Sequence, residues 1–232
     1  MRLDRFLSDT TGLSRAQARQ AIRAGAVTVD GVPARDPARH IADHSRVGYA
    51  GRELIRRGPR YYMLHKPAGY VCSTADPDHP TVLALLPPEE RAGLHPAGRL
   101  DLDATGLVLL SDDGQWSHRI TAPRRGCAKT YRVVLAEPLP ADAVQRLRQG
   151  LLLHGEDQPT RPAELVPESE RVARLTVYEG RYHQVKRMFA ALGNRVLALH
   201  RERIGGIALD SALGPGQYRA LTADEIASVD RP

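Results

Sequence analysis

The chain reads as an α+β protein in two parts: a small basic helix-and-hairpin module, followed by a larger body with flanking helices on a largely antiparallel sheet. Three observations predict this. Beyond residue 60, strand-like apolar runs dominate, and the helical runs between them do not follow a βαβ rhythm. Charge is divided: residues 1–60 hold twelve arginines against six acids, while residues 61–232 are balanced at 21 basic and 21 acidic side chains. The formal +6 therefore belongs to the first quarter, the footprint of a polyanion-binding appendage on a neutral body. A length of 232 residues suits one medium domain with such an appendage.

Composition also sets exclusions. No window holds ~18 uninterrupted apolar residues, so no membrane span is expected. The start, MRLDRFLSD, carries charge where a signal peptide would be apolar. Cys72 and Cys127 are far apart, which fits a reduced cytoplasm better than a disulfide framework or zinc cluster. The nine histidines form no His-Glu-x-x-His pair, so no metal is expected.

In the basic module, a first helix is expected from Leu3 to about Asp9. Ser14 and Gln17 form a capping box for a second helix, and Gly25 stands where it would end. Along that helix Arg15, Arg19 and Arg23 share one face, while Ala18 and Ile22 share another. Val27 to Val32 alternates around Asp30-Gly31 and reads as a hairpin. RELIRRGPR, residues 52–60, reads as basic linker; the expected boundaries are 1–47, a linker at 48–60, and a body at 61–232.

The body opens with a strand at Tyr61 to His65, ending in a Lys66-Pro67-Ala68-Gly69 turn expected to expose its lysine. A short apolar segment at 82–86 precedes GRLDLDATGLVLLSDD, residues 98–113, where a small turn runs into the apolar strand Leu107 to Leu110. That strand would pin Asp101 at the mouth of a sheet. Two other readings stay open at this point: ordinary turn carboxylates paired with Arg99, or a divalent-metal site of Asp101 and Asp103, which would need more oxygen ligands than two.

Trp116 to Ile120 reads as a short helix, followed by an exposed basic loop at Arg124 and Arg125. Then come a strand from Lys129 to Leu135, a helix from about Ala141 to Gly150 and a strand from Val172 to Tyr178. Val185, Met188, Phe189 and Leu192 have helical spacing. Short strands are expected at 195–199, 204–209 and 217–219, and a last helix is capped by Thr222. The chain has 30 arginines and only three lysines, Lys66, Lys129 and Lys186, each inside a singled-out motif. A compact ammonium is not interchangeable with a guanidinium, so these positions attract attention.

Residues 1–47, with Ser-Arg-x-x-Ala-x-x-x-Ile and Val-Thr-Val-Asp-Gly, resemble the S4 RNA-binding domain, of αL type. The resemblance implies phosphate contacts at Arg15, Arg19 and Arg23, with Arg2 and Arg5 nearby. KPAG at 66–69, GRLDLDATG at 98–106, KTY at 129–131 and GRYHQVKRMF at 180–189 together resemble the pseudouridine synthases, most closely the RsuA family that acts on small-subunit ribosomal RNA.

That resemblance implies a mixed, largely antiparallel sheet and conversion of uridine to pseudouridine without a cofactor. It makes Asp101 the catalytic carboxylate and Lys186 the cation that keeps it ionised. Tyr131 is implied as the active-site tyrosine stacking on uracil, and Arg99 as the side chain that replaces the flipped base or braces the loop. Lys66, Arg124, Arg125 and Lys129 are expected phosphate contacts. The expected partner is small-subunit ribosomal RNA, as a partly assembled ribonucleoprotein, bound by a monomer. Competing expectations are a large-subunit rRNA synthase, a non-catalytic S4-type assembly factor, and a metal-dependent nuclease.

Overall fold

The computed structural model describes residues 1–42, 44–55 and 58–229, which divide into two compact units, Met1–Pro59 and Arg60–Pro232. In the first unit, α1 (Leu3–Thr11) ends at Gly12, whose left-handed φ of 75° lets its N–H reach the Ser8 carbonyl. Next, α2 (Arg15–Arg23) begins with the expected capping box: Ser14 Oγ accepts from the Gln17 N–H at 3.3 Å, and Gln17 Oε1 from the Ser14 N–H at 2.9 Å. Leu3, Phe6 and Leu7 from α1 close a core with Ala18 and Ile22 from α2, so the arginine face of α2 is left exposed.

β1 (Val27–Val29) and β2 (Val32–Ala34) make the expected hairpin, with Asp30 and Gly31 both left-handed as a type I′ turn requires. Residues 48–54 are not linker. β3 (Val47–Tyr49) and β4 (Arg52–Leu54) form a second hairpin that extends the sheet in the order β2-β1-β3-β4. Its signal was weak because the strands are three residues long and charged; the charges serve a cross-strand pair, Arg46 to Glu53 at 2.7 Å. The expected linker residues 56 and 57 lie outside the described residues.

The second unit contains β5 (Tyr61–Lys66), α3 (Pro88–Arg91), β6 (His95–Pro96), β7 (Thr105–Ser111), α4 (Gly114–Thr121), β8 (Lys129–Leu135), α5 (Ala143–Gln149), β9 (Glu164–Ser169), β10 (Val172–Val177), α6 (Gln184–Ala191), β11 (Val196–Ile204), β12 (Ile207–Ala208), β13 (Tyr218–Ala220) and α7 (Ala223–Ser228). Its sheet runs β13-β5-β7-β11-β8-β10-β9, with β6 on β7 and β12 on β11. β7 and β11 pair in parallel and the other paired strands are antiparallel, so the sheet is mixed and largely antiparallel as expected. Val108 and Leu110 face one core with Val133, Leu175, Met188 and Phe189; Leu107 and Leu109 face the other with Trp116, Ile120 and Ile204. Burial on both sides explains why β7 reads as an unbroken apolar run.

β9 and β11 differ from expectation, and the short elements α3 and β6 have no counterpart in the sequence reading. β9 went unrecognised because it is an edge strand, mostly exposed and interrupted by Pro167. The strand expected at 195–199 is longer, the nine-residue β11, and it turns at Gly205 into β12, which lies inside the segment expected at 204–209. The polar middle, His200 to Arg203, hid this continuity, and Arg201 within it is 1% exposed.

Asp4 in α1 is fully buried beneath Arg2 and Arg15, at 3.1 and 3.0 Å. Burial alone would push this carboxyl up, but hydrogen bonds and charge from the two arginines outweigh it and hold it below the usual carboxylate range. Such a group contributes stability above its unfolded pKa of about 3.9, and that contribution is lost as pH falls through the lower folded value. Protection factors of the α1 and α2 amides, the exchange rates divided into their intrinsic rates at each pH, should therefore fall on acidification below about pH 4. Asp4→Asn should flatten that dependence and destabilise the first unit by about 1–3 kcal/mol at neutral pH.

Candidate active site

Asp101 sits in the loop between β6 and β7, and buried cations grip that loop. Lys66, at the end of β5, is fully buried; its Nζ donates to the carbonyls of Ala104 at 2.7 Å, Leu102 at 3.2 Å and Pro67 at 3.0 Å. All three ammonium protons are thus used, two of them inside the loop. Arg201 on β11 donates through Nε to the Leu107 carbonyl at 2.7 Å and through Nη1 to the Arg99 carbonyl at 3.0 Å, so it ties both stems of the loop together. Its Nη2 has no partner among the described residues. Gly106 makes the close crossing of β7 and β11 possible. At φ 107° a Cβ there would stand 2.3 Å from the Arg201 carbonyl oxygen.

The loop closes on itself through the Ala104 N–H to the Asp101 carbonyl at 3.2 Å, and joins the Pro67-Gly69 turn through the Gly69 N–H to the Leu102 carbonyl at 2.8 Å. This leaves the Asp101 side chain 22% exposed, with Lys186 Nζ 3.4 Å from Oδ2 and His183 Nε2 3.7 Å from Oδ1. Lys186 bridges two carboxylates, since its Nζ also lies 2.6 and 2.8 Å from the Asp103 oxygens. Burial pulls the Lys186 ammonium down, and the two aspartates more than restore it, so it titrates above an ordinary lysine. Asp103 is held low, chiefly by its hydrogen bond from Lys186.

α6 delivers this lysine. Gln184, 5% exposed, accepts from the Arg181 N–H at 2.8 Å and donates to Glu179 at 3.1 Å, which fixes the turn before the helix. His183 occupies that turn in a left-handed conformation, φ 46°. Tyr131, on β8, is 8% exposed; it pairs in register with Arg201, whose guanidinium lies 6.0 Å from the Tyr131 ring centroid.

The structure therefore brings Asp101 and Lys186 into contact and links Tyr131 to the same loop through Arg201. Arg99 contributes its carbonyl to the clamp and leaves its side chain exposed. Two expected phosphate contacts are corrected. Lys66 is not exposed but buried within the loop. Lys129 donates to the Cys127 carbonyl at 2.9 Å and the Ile120 carbonyl at 3.3 Å, and burial pushes its ammonium down. Both are backbone braces.

Arg124 and Arg125 are exposed on a single 3-10 turn, as expected. In the first unit, Arg19 and Arg23 are exposed, Arg2 and Arg15 also serve Asp4, and Arg5 lies 3.5 Å from Asp9. Sequence reasoning missed Arg201 and His183. Strand parity with buried Leu199 is the one sign that Arg201 points inward.

The family model for RNA pseudouridylate synthase matches residues 60–191, and that for the S4 domain matches residues 1–47. The chain belongs to the pseudouridine synthases. Among similar proteins, the ribosomal small subunit pseudouridine synthase A of Escherichia coli (strain K12) is 56% identical over 230 residues, covering 99% of this chain and 100% of that one. That of Vibrio cholerae serotype O1 is 53% identical over 229 residues, covering 99% of each. A solved structure described as a pseudouridylate synthase superposes with a TM-score of 0.73 at 46% identity and covers 99% of each chain. As a pseudouridine synthase the chain is an isomerase, and the S4 match ends at residue 47, inside the sheet that β3 and β4 complete.

The clamp makes a clear demand on Arg201. A lysine there keeps the charge but cannot donate along two fixed directions at once. Arg201→Lys should leave one loop stem untied and lower kcat for isomerisation by roughly tenfold to a hundredfold, matching about 1.4–2.7 kcal/mol of lost positioning. KM should change little, as single-turnover and steady-state rates on one RNA substrate will show.

Proposed function

We propose that this chain isomerises one uridine of small-subunit ribosomal RNA to pseudouridine, with Asp101 as the reacting carboxylate. The observation that carries the reading is the inner of two carboxylates on a braced loop, Asp101, 22% exposed against 71% for Asp103, with an ammonium 3.4 Å away and an imidazole 3.7 Å away. The reaction breaks the N1–C1′ bond, turns the uracil, joins C5 to C1′ and releases the C5 proton. Reactants and product are isomers, so no electrons or external groups are needed.

Each step asks something of these residues. The nucleotide is attacked or deprotonated by a carboxylate, and the Lys186 ammonium, 3.4 Å from Asp101, stands where it can orient that group toward the substrate. Uridine in folded RNA must be extruded to reach Asp101, at a cost of a few kcal/mol that binding offsets. Exposed Arg99, beside the loop, suits filling the vacated place in the helix. Tyr131 supports the uracil from β8. The S4 unit, through Arg15, Arg19 and Arg23, holds the RNA by phosphate contacts that position it without reading sequence.

The named relatives act on the ribosomal small subunit, and the full-length similarity favours the same substrate here. We infer that the RNA is presented as a partly assembled ribonucleoprotein in the cytoplasm.

Release of tritium from C5-labelled uridine tests the reading on small-subunit and large-subunit rRNA, with and without early-binding ribosomal proteins. Stoichiometric release from small-subunit RNA that disappears in Asp101→Asn is the expected outcome. Asp103→Asn should stay within about tenfold of the wild type, because its pair with Lys186 is largely exposed and worth at most about 1 kcal/mol. Loss of release in Asp103→Asn with retention in Asp101→Asn would assign the chemistry to the wrong carboxylate. Release confined to large-subunit RNA would refute the substrate.

A further inference from the structure

We propose that Tyr182 is a stacking platform for the nucleobase adjacent to the target uridine, a contact that rests on the RNA reaction proposed above for Asp101. Tyr182 is 71% exposed, an aromatic surface left in water, while the other large exposed apolar side chains of its unit, Leu152, Val166 and Leu197, are aliphatic. It is not a loose side chain. Its ring stacks on His183 with centroids 3.8 Å apart and planes 21° from parallel, and His183 in turn stands 3.7 Å from the Asp101 carboxylate. The open face of Tyr182 is therefore two side chains away from the reacting group, where the chain of an extruded nucleotide must continue.

The backbone beneath Tyr182 is fixed with more bonds than an idle surface turn needs. Arg187 donates to the Tyr182 carbonyl at 3.2 Å while holding Glu156 at 2.8 Å and the His154 carbonyl at 2.8 Å. Arg181 donates to the Gln158 carbonyl at 2.8 Å and to the Pro159 carbonyl at 2.6 Å. Between them His183 is kept left-handed, a conformation that costs a non-glycine residue free energy and persists only where its surroundings impose it. The result is a rigid turn that presents one aromatic ring outward and contributes almost none of that ring to the core.

The ligand class follows from the surface. A flat aromatic face next to a site that takes a flipped uridine suits another unstacked base, which loses its neighbour when the uridine leaves the helix. Stacking of this kind accepts any base, because every base offers a π-face. The platform would thus give affinity and register along the strand without reading sequence. The Tyr182 hydroxyl is not required.

A double-mutant cycle between protein and RNA tests this in the full-length enzyme. Tritium release is measured for wild type, Tyr182→Ala and Tyr182→Phe on a small-subunit rRNA substrate whose modified uridine has been located. The same RNA is then used with an abasic nucleotide immediately 5′ or immediately 3′ of that uridine. On intact RNA, Tyr182→Ala should raise KM roughly five- to 150-fold, the range for loss of one base-aromatic stack, and Tyr182→Phe should restore most of it. For one of the two flanks, the abasic RNA should cost the wild type a similar factor and cost Tyr182→Ala nothing further.

Unaltered thermal unfolding of Tyr182→Ala confirms that the loss is one of binding. Equal KM for wild type and Tyr182→Ala would overturn the platform, and so would losses from Tyr182→Ala and both abasic sites that simply multiply. A wild type that releases no tritium from any rRNA would instead overturn the reaction, and the platform with it.

Discussion

The catalytic unit depends on buried cations that bind backbone carbonyls instead of carboxylates. Lys66 and Arg201 are both almost fully buried, and the hydrogen-bond acceptors of Lys66 Nζ, Arg201 Nε and Arg201 Nη1 are peptide oxygens. A buried charge is costly unless its donors are satisfied. Here the carbonyls of an irregular loop satisfy most of them, and those carbonyls would themselves be unsatisfied if the loop were buried alone. Loop and cation need each other, so the loop has one conformation. Burial accordingly pushes the Lys66 ammonium below its ordinary value.

This arrangement separates structure from chemistry. Had Lys66 paired directly with Asp101, the carboxylate would be locked in a structural ion pair. Instead Asp101 meets Lys186 at 3.4 Å, a looser contact than the 2.6 Å between Lys186 and Asp103. Asp103 anchors the ammonium and leaves the Asp101 carboxylate with the longer contact. The anchoring pair joins the β6–β7 loop to the start of α6, and the parallel β7–β11 pairing brings Arg201 to both loop stems.

Much of this was legible in the sequence. The capping box at Ser14, the Asp30-Gly31 hairpin and the strand from Lys129 to Leu135 have strong local signals, and the motifs at 98–106 and 180–189 pointed to Asp101 and Lys186. What escaped was set by tertiary contact. Lys66 beside Pro67 and Gly69 looks like a turn lysine, and nothing local reveals three carbonyls converging on it. Arg201 lies among His200, Glu202 and Arg203, so hydropathy broke β11 where a buried guanidinium continues it. His183 acts through backbone geometry that only the turn after Gly180 imposes. Charge in the β3–β4 hairpin looked like linker because its cross-strand pairing cannot be read along the chain.

With both cations in place, the Asp101 loop is rigid before any RNA arrives. Amide hydrogen exchange of residues 100–106 in the free, full-length protein tests it most directly. The Ala104 amide, bonded to the Asp101 carbonyl, should be protected nearly as well as the β7 amides beside it. Exchange of Ala104 at the rate of an open surface loop, with β7 still protected, would show that Lys66 and Arg201 do not hold the loop.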